Sequence, residues 1–532
     1  MSEAPAGASS RLPLWLGAAA LLALVWRFRF FCDDAYILLR YSKNLAAGHG
    51  LTFNVGDPAP VEGFSEFLWT ILLAIPEYLG LATDVLAPVV TVAGSLVLLA
   101  LLVRYGRDAL GLGTLGLVAV ALFLACNPTV AIWSTGGLSS SLSALLIFLC
   151  FRALFPGGDE QPRGLEAGTF GALASLMRAD GPYWIVCLLG LFLVSRWLGR
   201  GAFVGTLVRA GVVLAVVGGC FVAWRLGTFG DYLPNTARAK VGMSALSLER
   251  GGKYLAHYLV ILPVVAVTFV AGLAHVVGQL RSALAERTGD ASGASGHGLD
   301  PVSIATLMAG ATFAYSVIVG GDFMAMGRFF FPAVPFLALA FGALVERHGT
   351  AARAGWAATF LASLLPIFDL HLAPLAVREA LWFRWSSPAY ESEFAFWKGM
   401  RDRADEWSLI GKACALHTTA DESLVLGPIG AVGYHSDLWI YDAYGLTNRE
   451  VLEATEPASV RSTPGHDRLV DPEFFDRFEP TWKEAWLTRP GQDARGLTPA
   501  KGYVVFALPA ELAEGRALVL RRWGFGAKPT GE

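Results

Sequence analysis

The sequence predicts a polytopic α-helical membrane protein of about eleven transmembrane helices, ending in a small C-terminal α/β domain on the extracytoplasmic side. Three observations predict it. The chain is 54% hydrophobic, with a mean hydropathy of +0.51. Only 16% of its residues are charged, against about 25% in soluble domains. Its apolar residues gather in runs that approach the roughly 17–25 residues of a membrane span, until residues 373–532 break the pattern with more charge and more aromatics.

Runs near 12–30, 85–103, 112–130, 137–154, 165–178, 183–198, 202–225, 255–280, 302–320, 328–346 and 354–372 each read as a span. The first reads as a retained span, because no small-residue cleavage site follows it. The segment 65–80 is short, carries Glu66 and Glu77 and contains Pro76; it reads as interfacial or re-entrant.

Lysine and arginine placement sets the orientation. With the N-terminus inside, the inner loops hold Arg104 and Arg107, Arg152 and Arg163, Arg196 and Arg200, Arg281 and Arg287, and Arg347 and Arg353. The outer side then receives a first loop at about 31–84, the segments WSTGGLSSS (133–141), MRADGP (177–182), GDYLPNTARAK (230–240) and GGDFMAMGR (320–328), and the tail. Arg40, Lys43, Arg178, Arg225, Arg238, Lys240 and Arg328 also fall outside, beside outer carboxylates and turn motifs. An anionic lipid head group would need such a grouping. The inner loop 281–301, rich in Gly, Ser and Ala, reads as flexible.

In the tail, 391–415 reads as helix, 424–446 as strand, turn and short strand, and 501–508 as a further strand. Gly427, Gly430 and Gly433 read as turn glycines, since no dinucleotide fingerprint surrounds them. Trp382, Trp385, Trp397, Trp407, Trp482 and Trp486 either stack on sugar rings or pack the small domain.

Several classes are excluded. A net charge of −3 gives no footprint for nucleic acid. The six cysteines form no CxxC pair. Cys126, Cys150, Cys187 and Cys220 read as packing residues, Cys32 and Cys414 are isolated, and no disulfide is expected. His257, His275 and His371 lie on separate spans and suggest no zinc cluster. No Walker loop, nucleophile elbow, HExxH motif or repeat is present.

The chemistry gathers in the first outer loop. Asp33 and Asp34 sit together where the first span ends. A charge in hydrocarbon costs roughly 2.5–3.5 kcal/mol on insertion scales. The pair therefore reads as taking a proton from an acceptor or holding a cation, with helix capping of 35–46 as the structural alternative. Glu62, in VEGFSEFLW (61–69), is a third outer acid or a cap. Arg178 with Asp180, and Arg328 with Asp322, are ion pairs or phosphate-directed arginines. Asn235, in YLPNTARAK, opens a turn with Arg238 and Lys240 beyond it.

DDAYILLRYSKNLAAGHGLTFN followed by VEGFSEFLW resembles the multi-span polyprenyl-phosphate-sugar glycosyltransferases of the GT-C class. The branch it resembles holds the mycobacterial-type terminal β-1,2-arabinofuranosyltransferases. WSTGGLSSSL, RADGP, LPNT, GGDFMAMGRFFFPAVP and GAVGYHSDLWIYDAYGLTN are similar to further motifs of that branch. Two positions depart: Ser139 stands where an acid is usual, and Ala179 where a proline is. The resemblance implies a GT-C transmembrane domain over 1–372, with catalytic acids and interfacial helices at 31–84, and an extracytoplasmic domain over 373–532. It implies Asp33 as general base, and Asp34 as a residue that positions the acceptor, tunes Asp33 or shares a divalent cation. It implies Arg238, Lys240, Arg328 and Arg178 as candidates for the donor phosphate, and Tyr36, Arg40, His49, Glu62, Asp180, Asn235 and Asp322 as substrate-binding.

The expected reaction moves a sugar, arabinofuranose first, from a polyprenyl-phosphate donor to a glycan hydroxyl with inversion, in a bacterial plasma membrane. A related transferase of another sugar onto protein or lipid is the alternative enzyme. A transporter or flippase, and a non-catalytic envelope protein, are the alternatives of other classes. Acids clustered at one face, without repeats, argue against transport.

Overall fold

The computed structural model describes residues 11–158, 160–240, 244–288, 298–387, 389–455, 463, 470, 472–492 and 494–524. All eleven expected spans are helical, at lengths set by local breakers. Helix α1 (Leu12–Phe28) turns through about 90° into α2 (Asp33–Ala46). Helix α3 (Phe67–Tyr78) is the segment read as interfacial. Its 12 residues extend about 18 Å, too short to cross hydrocarbon. After α4 (Thr83–Asp108), the expected span 112–130 is two helices, α5 (Thr114–Ala125) and α6 (Pro128–Trp133). The break has a local cause: Asn127 Oδ1 accepts from Thr129 N–H at 3.0 Å, and Pro128 opens the new helix.

The membrane part continues through α7 (Ser140–Leu154), α8 (Gly164–Met177), α9 (Gly181–Leu198), α10 (Val204–Phe229), the short α11 (Asn235–Lys240), α12 (Ala245–Ile261), α13 (Pro263–Thr288) and α14 (Pro301–Ile318). A 3-10 turn over Arg328–Ala333 leads into α15 (Val334–Arg347), followed by α16 (Thr350–Ala362). Seven of these helices are long and apolar enough to cross a membrane; α1, α5, α7 and α8 have 17, 12, 15 and 14 residues. Pro263 splits the segment read as one span at 255–280. Residues 289–297 of the loop 281–301 lie outside the described residues, and α13 reaches Thr288.

Helix α15 forms the centre of the bundle, 83% buried over its apolar window, whereas α10 is 6% buried. α10 lies along α8, where Gly164 and Gly168 leave no room for a Cβ against its backbone. Cys220, expected to pack, is exposed on α10, and none of the six cysteines is bonded to another.

The tail runs through α17 (Leu375–Ala380) and α18 (Glu393–His417), which Ser392 caps by accepting from Ala395 N–H at 3.1 Å. There follow β1 (Ser423–Leu426), α19 (Gly430–His435), β2 (Trp439–Asp442), α20 (Arg449–Ala454), β3 (Trp482–Leu487), β4 (Tyr503–Ala507), α21 (Ala510–Ala513) and β5 (Ala517–Arg522). The sheet order is β2-β1-β3-β5-β4. Strand β1 is parallel to its neighbours β2 and β3, and β5 is antiparallel to β3 and β4. The expected turn between the first two strands is in fact α19. Gly430 and Gly433 are close-approach glycines rather than turn glycines: a Cβ at 430 would collide with the backbone oxygen of Asp33, and one at 433 would lie 2.8 Å from the Phe53 ring.

Candidate active site

Helices α2 and α19 lie side by side, and the polar groups of α2 hold both ends of α19. Asp33 does not cap its own helix. Its Oδ2 accepts from Gly430 N–H at 3.1 Å and its Oδ1 from Ala431 N–H at 2.8 Å, the first amides of α19. Two turns on, and so on the same face, Arg40 is 4% exposed. Its guanidinium donates to the carbonyls of Gly433, Ser436, Leu438 (3.0 Å) and Phe53 (2.8 Å). An acid at the start and a cation at the end of α19 both suit its dipole. Loss of water around Asp33 pushes its carboxyl from its ordinary value near 3.8 up to about 7, against the pull of the Ala431 amide.

Asp34 faces elsewhere. It lines a cavity of about 420 Å³ and a second of about 370 Å³. Ile37, Phe323 and Leu446 are the other residues common to both. Its carboxylate is 24% exposed, and Oδ2 lies 3.9 Å from Arg328 Nη1.

The second cavity holds the two arginines expected near a phosphate, each already paired. Arg178 forms a fork on Asp180 (3.0 and 3.1 Å) and reaches Glu66 Oε1 at 2.8 Å. Arg328 forms a fork on Asp322 (2.8 and 3.1 Å). Glu66 also accepts from Ser139 N–H at 2.7 Å. An acid from the first loop thus stands beside the position where Ser139 replaces the acid usual in the resembled motif. Asp34, Glu66, Asp180 and Asp322 face Arg178 and Arg328 around one space.

The first cavity lies between the transmembrane helices and the tail. It is lined by Arg384, Ser386, Ser387, Arg403, Trp407 and Tyr444 as well as by both acids. Arg384 is fully buried, forks onto Glu393 (2.7 and 3.0 Å) and donates to the carbonyls of Phe323 (2.6 Å) and Met324 (3.2 Å). The tail thereby holds the loop that carries Asp322 and Arg328. Of the six tail tryptophans named above, Trp407 lines the first cavity; Trp397 and Trp482 are buried, each 3% exposed.

The other expected residues lie outside both cavities. Tyr36 packs its ring against Phe31, Tyr434 and His435. Arg40 is the clamp already described, and His49 is exposed. Glu62 is buried against Arg225 at 2.7 Å, and burial lifts its carboxyl to about 7. Asn235 donates to the carbonyls of Gly445 (2.8 Å) and Leu446 (3.0 Å). Arg238 pairs with Asp231 at 2.7 Å. The side chain of Lys240 lies outside the described residues. Tyr36 and Arg40 tie the first loop to the tail, Asn235 ties the 230–236 segment to it, and Glu62 ties the first loop to α10. Among the described residues no three His, Cys, Asp or Glu side chains form a metal-binding group.

Sequence reasoning missed Glu66, Arg384, Arg403, Tyr444 and Thr236, all of which line a cavity. Glu66 left a signal, as a charge at the start of an apolar segment. Thr236 sits one residue beyond the asparagine singled out.

With this geometry in place, known proteins can be compared. Residues 398–507 match a family model described as a domain of unknown function (DUF8728). A terminal β-(1→2)-arabinofuranosyltransferase of Mycobacterium tuberculosis is 29% identical over 255 residues, covering 43% of this chain and 38% of that relative. The chain thus matches under two fifths of the length of this curated relative. ArnT from Cupriavidus metallidurans, solved bound to undecaprenyl phosphate, superposes with a TM-score of 0.55 at 14% identity, over 97% of this chain and 99% of that one. Its apo form gives 0.56 at 14% identity, over 95% and 97%. The fold is that of ArnT. The GT-C architecture implied by the first-loop motif is therefore the observed one, in a multi-pass membrane protein with a small C-terminal sheet domain.

Proposed function

We propose that this chain is a glycosyltransferase. It moves a sugar from a polyprenyl-phosphate donor to a glycan hydroxyl on the outer side of a bacterial plasma membrane, with inversion at the anomeric carbon. Arabinofuranose is the first candidate, from the name of the Mycobacterium tuberculosis relative. The lipid carrier is supported by the undecaprenyl phosphate bound to ArnT from Cupriavidus metallidurans. One observation carries the reading: a single carboxylate, Asp34, stands in the wall shared by two cavities. A transferase must bring two substrates to opposite sides of one reacting centre.

The second cavity, with Arg178 and Arg328, takes the donor; the first, with its arginines, hydroxyls and aromatic rings, takes the acceptor. Asp34 removes the acceptor proton as the acceptor oxygen bonds to the anomeric carbon. The bond from that carbon to the phosphate oxygen breaks, and its electron pair leaves with the lipid phosphate. A carboxylate is a weak base for a sugar hydroxyl, so proton transfer accompanies departure of the phosphate. The expected role of Asp33 as base passes to Asp34, because both Asp33 oxygens accept amides of α19. Asp33 becomes a positioning residue.

The test is transfer from a panel of radiolabelled polyprenyl-phosphate sugars, arabinofuranose included, by purified wild type and Asp34→Asn. Label moved by the wild type and not by the variant is expected. No transfer from any donor by folded wild type sinks the reading and returns transport or a scaffold role.

A further inference from the structure

Asp33, Asp34, Arg384 and Arg403 are the charged residues that line the first cavity. All but Arg403 are already matched within the protein. Asp33 is held by two amides of α19, at 3.1 and 2.8 Å. Asp34 faces Arg328 at 3.9 Å. Arg384 is forked onto Glu393 at 2.7 and 3.0 Å. Arg403 is exposed and makes no hydrogen bond or ion pair among the described residues. Two acids near it on α18 are engaged elsewhere: Asp402 pairs with Arg401 at 2.7 Å, and Glu406 with Arg516.

The Arg403 guanidinium is held along the cavity wall. Phe396, Met400, Arg403 and Trp407 follow one another on α18 at helical spacing, and all four line the cavity. A long side chain on a helix leans back towards the N-terminus. Gly399 leaves the room for it, since a Cβ at 399 would lie 3.2 Å from Arg403 Nη1. The guanidinium thereby comes over the Phe396 ring, 5.7 Å from its centroid. That of Arg384 sits 3.9 Å from the same ring. Two guanidinium groups thus approach one ring, and Glu393 neutralises only the first of them. Contact with a ring leaves the N–H fork of Arg403 unspent.

A substrate entering this cavity meets one positive charge without a counter-charge. A neutral glycan would displace water from that guanidinium and offer no charge in return. A planar fork of donors suits the paired oxygens of a phosphate or a carboxylate. We infer that the acceptor carries an anionic group, phosphate or carboxylate, which Arg403 binds. The inference rests on assignment of the first cavity to the acceptor.

The full-length protein in detergent is titrated with one short synthetic arabinofuranose oligosaccharide in three forms: neutral, phosphorylated at the reducing end, or carboxylated there. Wild type should bind one anionic form about tenfold more tightly than the neutral form, as a charge-assisted bond predicts. The form that gains tells phosphate from carboxylate. The preference should vanish in Arg403→Gln and be intermediate in Arg403→Lys, because an ammonium keeps the charge and loses the fork. All three proteins should melt alike. In the transfer assay Arg403→Gln should raise the KM of the anionic acceptor and leave the donor KM constant. Wild type without preference for either anion overturns the inference alone, as does an Arg403→Gln variant that keeps the preference. A donor KM that rises instead gives the anion to the donor phosphate and also overturns it. Wild type that binds none of the three forms overturns it together with the acceptor assignment. Wild type that binds but transfers no sugar sinks the proposed function, while the binding comparison still decides Arg403.

Discussion

Asp33 turns towards the tail, where both its oxygens accept amides of α19, while Asp34 faces two cavities and Arg328. Successive residues on a helix point about 100° apart. A doublet at the start of α2 therefore addresses two different neighbourhoods. On the tail side polar groups bind backbone: Asp33 and Arg40 hold the ends of α19, and Asn54 exchanges two bonds of 3.0 Å with the backbone of Ile440. On the cavity side, acids and arginines surround open space. One helix thus fastens the tail with one face and presents chemistry with another. The first cavity depends on both, since the tail supplies much of its wall.

The sharpest way to break this comparison is to exchange the roles of the two acids. Asp34→Asn should lower transfer by about 10²–10⁴-fold, the usual contribution of a general base, with the melting temperature unchanged. Substantial residual turnover would return the base to Asp33. The next effect belongs to the clamp. Arg40→Met should destabilise the chain by about 3 kcal/mol, because it leaves buried carbonyls without donors. Limited proteolysis should then cut the tail before the membrane part. Arg40→Lys should rescue little, since one ammonium cannot reproduce the planar fork; full rescue would show that charge alone matters.

The smallest effect is the pH dependence of Asp33. Its carboxyl is raised in the folded protein from near 3.8 to about 7. Between those values the folded state holds a proton that the unfolded chain has released, so the Asp33 contribution to stability falls as pH rises from about 4 to 7 and is level above. Asp33→Asn should flatten that part of the melting profile and lower turnover less than Asp34→Asn does. An unchanged slope would show that Asp33 does not titrate in this window.

Much of the fold was legible because hydropathy is a local property. The eleven apolar runs are helices, and 65–80, expected to be short, holds a helix of 12 residues. The strands β3 and β5 escaped notice because they pair with each other over a separation of about thirty to forty positions, which no local pattern records. In LPNT, asparagine drew the eye as a turn former. It holds the chain by its amide, and it is the threonine beside it that lines the cavity. Tyr36, Arg40, Glu62 and Asn235 belong to motifs that look like substrate contacts in one dimension. In three dimensions Tyr36, Arg40 and Asn235 fasten their segments to the tail, and Glu62 fastens the first loop to α10.

The sequence by itself determined that this is a many-span membrane protein with a small α/β tail, and that two adjacent aspartates follow its first apolar run, because hydropathy and charge are written residue by residue. Only the tertiary structure decided which aspartate lines both cavities. The amides that engage Asp33 lie 397 and 398 positions further along the chain, and helical geometry then turns its neighbour away from them, towards the cavities.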